Sequence, residues 1–180
     1  MIKVKLSDPK NIKCFGALLV AQNMLPNYSI ELTNSNDYDY ELVDMTQWMN
    51  RKKSLEESIE YGINALANKS GDYFLVHGGG ATDIVGAYEV LKESNAIALL
   101  KKSMLSQKDY KEPTAIGKWF FGNGSKLDKG YNISDQEYKR IQLLGYTVCH
   151  NWPHMQNLQP IRNKDLDVCA VWQTYHPFEA

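Results

Sequence analysis

A chain of 180 residues with 43% hydrophobic and 23% charged residues has the composition of one sizeable soluble core, which excludes disorder and collagen-like repeats. Its formal net charge of -1 argues against a general electrostatic grip on nucleic acid or anionic membrane, leaving only a local basic face open. Cys14, Cys149 and Cys169 are odd in number, widely spaced and without a C-x-x-C pair, so neither a disulfide framework nor a cysteine-based zinc site is indicated. With no signal peptide and no apolar run of membrane-spanning length, the expectation is a reduced, cytoplasmic protein.

Strand and helix signals alternate along the chain. Ile2–Leu6 has period-2 alternation and predicts a first strand, and the apolar stretch Phe15–Leu25 predicts a helix stopped by Pro26. Ser29–Thr33 and Tyr38–Val43 are short strand candidates, and the paired aspartates of Asp37-Tyr-Asp39 start the second in solvent. Ser54-Leu-Glu-Glu57 is a capping box, and Leu55, Ile59, Ile63 and Leu66 fall on one face of the helix it opens, which Gly71 closes. Tyr73–Val76 lacks polar alternation, as an interior parallel strand covered on both faces would. Thr82 or Asp83 is expected to cap a helix that turns Ile84, Val85, Tyr88 and Leu91 to the core, and Ala96–Leu100 supplies the next buried strand. Lys101-Lys102 reads as its solvated end. Ser103–Ile133 resists assignment, although Gly117–Gly122 fits a strand or a buried loop. The capping box Ser134-Asp-Gln-Glu137 predicts a helix ended by Gly145; Tyr146–Cys149 and then Leu166–Gln173 read as strands. The expectation is α/β: an open, doubly wound, mostly parallel Rossmann-like sheet with right-handed crossovers, as one domain over residues 1–180.

The segment richest in chemistry is Asp72-Tyr-Phe-Leu-Val-His-Gly-Gly-Gly-Ala-Thr-Asp83, an apolar run that stops at a histidine and three glycines before a helical pattern. Gly78, Gly79 and Gly80 lack a Cβ, so the backbone can turn sharply and let a ligand approach its N–H groups. A following helix favours an anionic group such as phosphate or carboxylate. His77 then serves as base or hydrogen-bond donor, with Thr82 and Asp83 shaping the crevice; the alternative is a tight βα turn without a ligand. The loop 77–83 is expected at the carboxyl end of a central strand, at a topological switch point.

The order of Ile2–Leu6, the helix near Gly16, Ile30–Thr33, Asp37–Val43, the capped helix with Leu55-Glu-Glu-Ser58 and the stretch Gly71-Asp-Tyr-Phe74 resembles the first Rossmann-like domain of GT-B glycosyltransferases, including phage-encoded ones. The resemblance implies transfer of a sugar from a nucleotide sugar to an acceptor hydroxyl. In that family the first of two facing domains mainly holds the acceptor and the second the nucleotide sugar. The chain then corresponds to the acceptor-side domain, completed by a second α/β domain or a second copy, with His77 as base or acceptor-orienting group and Gly16 among the ligand-binding positions. The ending Thr174–Ala180, without a terminal helix or polar tail, reads as a cut at a domain boundary. A non-catalytic binding or interaction module is the alternative from another class.

Three motifs compete with this reading. His77-Gly-Gly-Gly80 matches the oxyanion-hole motif of lipase-like α/β-hydrolases, but no G-x-S-x-G elbow occurs, and Gly122-Asn-Gly-Ser125 lacks the spacing. The glycines do not form G-x-x-x-x-G-K-[ST], so P-loop chemistry is unsupported. His150, His154 and Asn157–Pro160 resemble HNH nucleases, yet no Asp-His pair precedes them, which makes a nuclease the third alternative. Pro153 disfavours a helix that would bring His150 and His154 to one metal, so neither zinc nor another cofactor is expected. Trp152, with Trp119-Phe120-Phe121, offers aromatic surface that can stack on a sugar or base, or pack in the core.

Overall fold

The computed structural model describes residues 1–10, 12–20, 22–46, 48, 54–78, 84–101, 104–112 and 130–144, all within the unit Met1–His150. Among them run six strands: β1 (Ile2–Leu6), β2 (Ile30–Thr33), β3 (Tyr40–Asp44), β4 (Asp72–His77), β5 (Leu99–Lys101) and β6 (Ile141–Leu143). Their spatial order is β2-β1-β3-β4-β5-β6 and every pairing is parallel. Helices α1 (Ile12–Val20), α2 (Leu55–Leu66), α3 (Ala87–Lys92) and α4 (Asp135–Lys139) lie between strands. The fold is therefore α/β, an open and doubly wound sheet of the Rossmann-like kind. No described helix is long and apolar enough to cross a membrane.

Side-chain alternation along the strands builds two cores, one per face. Leu6, Leu42 and Val76 join Cys14 and Phe15 of α1 on one face, with Leu18 and Leu19 packed alongside. Val43, Tyr73, Leu75 and Leu99 face the other way, onto Leu55 and Leu66 of α2, Val90 and Leu91 of α3, and Tyr110, Tyr131 and Ile133. β3 and β4 are buried on both faces, which is why Tyr73–Val76 reads as an unbroken apolar run.

The connection from β2 to β3 is short because the two strands are staggered. β2 pairs with Ile2–Lys5 of β1, whereas β3 begins opposite Val4 and extends past Leu6, so the chain need not travel back along the sheet. Residues 34–39 cross β1 on the side of Lys3 and Lys5, opposite α1. There Asp37 pairs with the Lys3 ammonium, the Asp39 carboxylate accepts from the Lys3 N–H, and Lys5 donates to Asn36. A crossover on that side preserves right-handedness while the direction of strand addition reverses.

Several boundaries differ from the sequence expectation. The first helix starts at Ile12 and ends at Val20; Pro26 enters a 3-10 turn, Leu25–Tyr28, where its fixed φ and missing N–H are tolerated. The helix after β4 is capped by Gly86, at φ +77°, whose N–H donates to Glu89, and not at Thr82 or Asp83; Ile84, Val85, Tyr88 and Leu91 are buried as expected. Both Ser capping boxes form. The second opens only a short α4, however, because Ile141–Leu143 leaves the helix to pair with β5, a tertiary demand that overrides the local pattern. The strand candidates Tyr146–Cys149 and Leu166–Gln173 and the segment 117–122 lie outside the described residues.

Leu75 on β4 is completely buried, so Leu75→Ala should lower the unfolding free energy by ~2–5 kcal/mol. Ser54→Ala, which removes only the α2 cap, should cost ~1 kcal/mol. Urea titration of both variants checks the ranking, and equal losses would contradict the core assigned to β4.

Candidate functional site

The carboxyl edge of the sheet collects polar side chains at the ends of three neighbouring strands. β3 ends in Asp44, β4 in His77 and β5 in Lys101, with His77 opposite Lys101 in the register. Alternation places them on different faces: Asp44 continues the row of Leu42 toward α1, whereas His77 and Lys101 continue the rows of Leu75 and Leu99 toward α2 and α3. Asp44 and Lys101 are essentially inaccessible, at 1% and 0% exposure, and His77 is half-buried. Asp and Lys are almost never so buried unless partnered.

On the α1 face, Asp44 gathers donors from three directions. Its Oδ1 accepts from the Cys14 thiol at 2.8 Å, from the Thr46 N–H at 2.8 Å and from the Thr46 hydroxyl at 2.5 Å. The Asp44 N–H donates to Ser7 Oγ at 2.8 Å, and the Ser7 N–H to the Leu42 carbonyl at 2.9 Å. These bonds tie together the ends of β1 and β3 and the start of α1. It is here, between β1 and β3, that the strand order reverses, so the topological switch point lies one strand away from the position expected for loop 77–83. The expectation of a central strand is met: β4 pairs on both sides, and His77 stands at its carboxyl end.

Its surroundings keep Cys14 a thiol near pH 7. Burial, reinforced by its bond to the Asp44 carboxylate, pushes its pKa up to about 12, against smaller opposing effects of the Thr46 hydroxyl and the Gly78 N–H. Gly78 is itself explained by this contact, since a Cβ there would sit 2.3 Å from the Cys14 sulfur. The absence of a side chain at 78 thus serves the close approach of β4 to α1. Gly16, grouped by resemblance with the ligand-binding positions, is buried inside α1.

On the opposite face, Lys101 Nζ lies 2.9 Å from His77 Nδ1. Burial, then the Lys101 charge, drive the imidazole pKa down to about 3, while the Asp44 charge works weakly in the other direction. His77 is neutral near pH 7 and a poor proton acceptor, so of its two expected roles the chemistry favours orienting a ligand over acting as base. Lys101 is a correction to the sequence reading: it is not a solvated strand end but one of the most buried side chains of the core. The sequence alone marks none of Asp44, Cys14 and Lys101 as a site residue. The only local signal for Lys101 was a lysine following directly on Ala96–Leu100.

Gly79, Gly80, Thr82, Asp83 and Trp152 lie outside the described residues, as do Trp119–Phe121, His150, His154 and Asn157. Among the described residues, no group of three His, Cys, Asp or Glu is placed to hold a metal ion.

Two measurements test this arrangement. A histidine whose folded pKa lies below its unfolded value binds fewer protons when folded, so its neutral burial supports stability above pH 6.5 and that support is lost as pH falls toward about 3. Melting temperature should therefore drop on acidification from pH 7 to 4, with a shallower slope in His77→Gln; parallel slopes would contradict the buried neutral imidazole. Gly78→Ala should destabilise by steric conflict with Cys14, and Gly78→Ala/Cys14→Ala should lose less than the sum of the two single variants in a double-mutant cycle, whereas strict additivity would place the two residues apart.

Comparison of the chain with protein families, with curated proteins and with solved structures yields no match, so the site stands on its own geometry.

Proposed function

We propose that the chain binds a small polar ligand at the carboxyl edge of β3–β5, and that it does so as the acceptor-side α/β domain of a glycosyltransferase-like protein. One observation carries the reading. Three adjacent parallel strands end in Asp44, His77 and Lys101, two of them fully buried, at the edge where open α/β sheets take their ligands. In displacement at an anomeric carbon the acceptor hydroxyl gives up a proton and a nucleotide phosphate departs. A neutral His77 suits the holding of an acceptor hydroxyl. The base and the contacts to the nucleotide-sugar donor then belong to a second α/β domain or a second copy of the chain, while Gly79, Gly80, Thr82, Asp83 and Trp152 remain expectations for the ligand-facing surface.

A non-catalytic ligand-binding or interaction module is the second reading, and the protonation states favour it. A thiol at about 12 and an imidazole at about 3 leave neither Cys14 nor His77 ready to exchange a proton with a substrate near neutral pH. The nuclease alternative rests on His150, His154 and Asn157 alone.

Calorimetry with uridine and guanosine diphosphate sugars, followed by a transfer assay with the donor-side domain added, separates the readings. The chain alone should bind these sugars very weakly and show no transfer, and the added domain should restore turnover. His77→Ala should then raise the acceptor KM by roughly tenfold, the order of one lost hydrogen bond, with a smaller change in kcat. A kcat loss of ~10²–10⁴ would instead return His77 to the role of base. Ligand binding without turnover in any assembly would establish the binding module.

A further inference from the structure

We propose that Lys101 is a positioning residue that fixes His77 as its neutral Nε2–H tautomer, so that the ring presents a hydrogen-bond donor and takes an oxygen acceptor of the ligand. The proposal rests on the reading that the carboxyl edge of β3–β5 is the ligand site. Its basis is the 2.9 Å contact between Lys101 Nζ and His77 Nδ1. With Lys101 carrying the positive charge that acts on the ring, its ammonium has three donors and no acceptor, so Nδ1 accepts in this contact. The proton of the neutral ring is then on Nε2.

The contact is built into the sheet. His77 and Lys101 are register partners on β4 and β5, and the flexible lysine stem is buried along its whole length, so the ammonium is not free to swing into solvent. Among the described residues, the charges that act on the imidazole are Lys101, from β5 on the same face, and Asp44, from β3 on the other; the lysine opposes a second proton on the ring and the aspartate favours it more weakly. A cation held at Nδ1 also polarises the ring and strengthens donation from Nε2. The group that meets Nε2 must therefore be an acceptor: a hydroxyl lone pair, a phosphate oxygen or a carboxylate oxygen, and not an ammonium.

Long-range nitrogen–proton correlation spectra of the full chain, labelled with ¹⁵N-histidine, test this without any ligand. His77→Gln assigns the signal among the four histidines. The wild-type protein should show His77 as neutral Nε2–H throughout pH 7 to 5. In Lys101→Met the tautomer preference should be lost and the titration midpoint should move up toward the ordinary histidine value, whereas Lys101→Arg, which keeps a donor, should retain Nε2–H. A wild-type Nδ1–H ring, an imidazolium at pH 7, or a Lys101→Met spectrum identical to wild type would overturn the proposal. If Lys101→Met does not fold, wild type and Lys101→Arg decide: Nε2–H in both upholds it, and Nδ1–H in either overturns it. Because the spectra need no sugar and no partner domain, an Nε2–H His77 together with no transfer after the donor-side domain is added would remove the transferase reading and leave the role of Lys101 standing.

Discussion

The structure depends on the pairing of β3 with β4, two parallel strands buried on both faces. Parallel neighbours can be joined only by chain that returns across the sheet, and that chain covers the faces. Helix α1 covers one side, α2 and α3 the other, and all strands finish at the same edge. Residues far apart in sequence, from Ser7 to Lys101, are thereby brought to one line at their strand ends. The carboxyl edge is the place where polar groups can be set into an otherwise apolar core while still meeting partners.

The two faces use that edge differently. Toward α1, Asp44 is enclosed by the Cys14 thiol and by the N–H and hydroxyl of Thr46, and its own N–H is held by Ser7. A carboxylate with donors so arranged acts as an anchor: it tethers the start of α1 and the end of β1 to β3. Toward α2 and α3, His77 and Lys101 form a pair whose mutual distance is set by strand register, and the half-buried ring remains the more accessible member. The first group explains how the edge is held; the second leaves a half-buried imidazole at that edge.

The outer part of the sheet is secured by interactions that reach across chain distance. Arg140, between α4 and β6, donates to the carbonyls of Leu91, Ser94 and Ala96 at 3.2, 3.4 and 2.6 Å, closing the end of α3 and the turn into β5. The Leu99 N–H donates to the Arg140 carbonyl at 2.7 Å, so the same residue sets the start of β5 and the approach of β6. Tyr131 joins this layer by donating to Glu89 at 2.8 Å, while the other oxygen of Glu89 caps α3 through the Gly86 N–H. Lys101 is carried at the far end of β5, so its place beside His77 follows from how that short strand is held at its beginning.

Much of the fold was legible in the order of residues because it follows from local rules. Ile2–Leu6 alternates and is a strand; Ser54 and Glu57 form a reciprocal cap and open a helix; Tyr73–Val76 is continuously apolar and lies between two strands. Local rules failed where pairing decides. Ile141–Leu143 continues a helical pattern after a good cap, yet the open edge of β5 draws it into the sheet. The candidate site divides in the same way. His77 and the glycine at 78 stand out in the sequence as the end of an apolar run, but the reason for Gly78 is a sulfur on α1, and the partner of His77 is a lysine on another strand. Lys101 in isolation has the signature of a solvated strand end. Only the register of β4 against β5 carries it into the core, because hydrogen bonding between parallel strands, rather than the character of the side chain, determines which residues stand opposite one another.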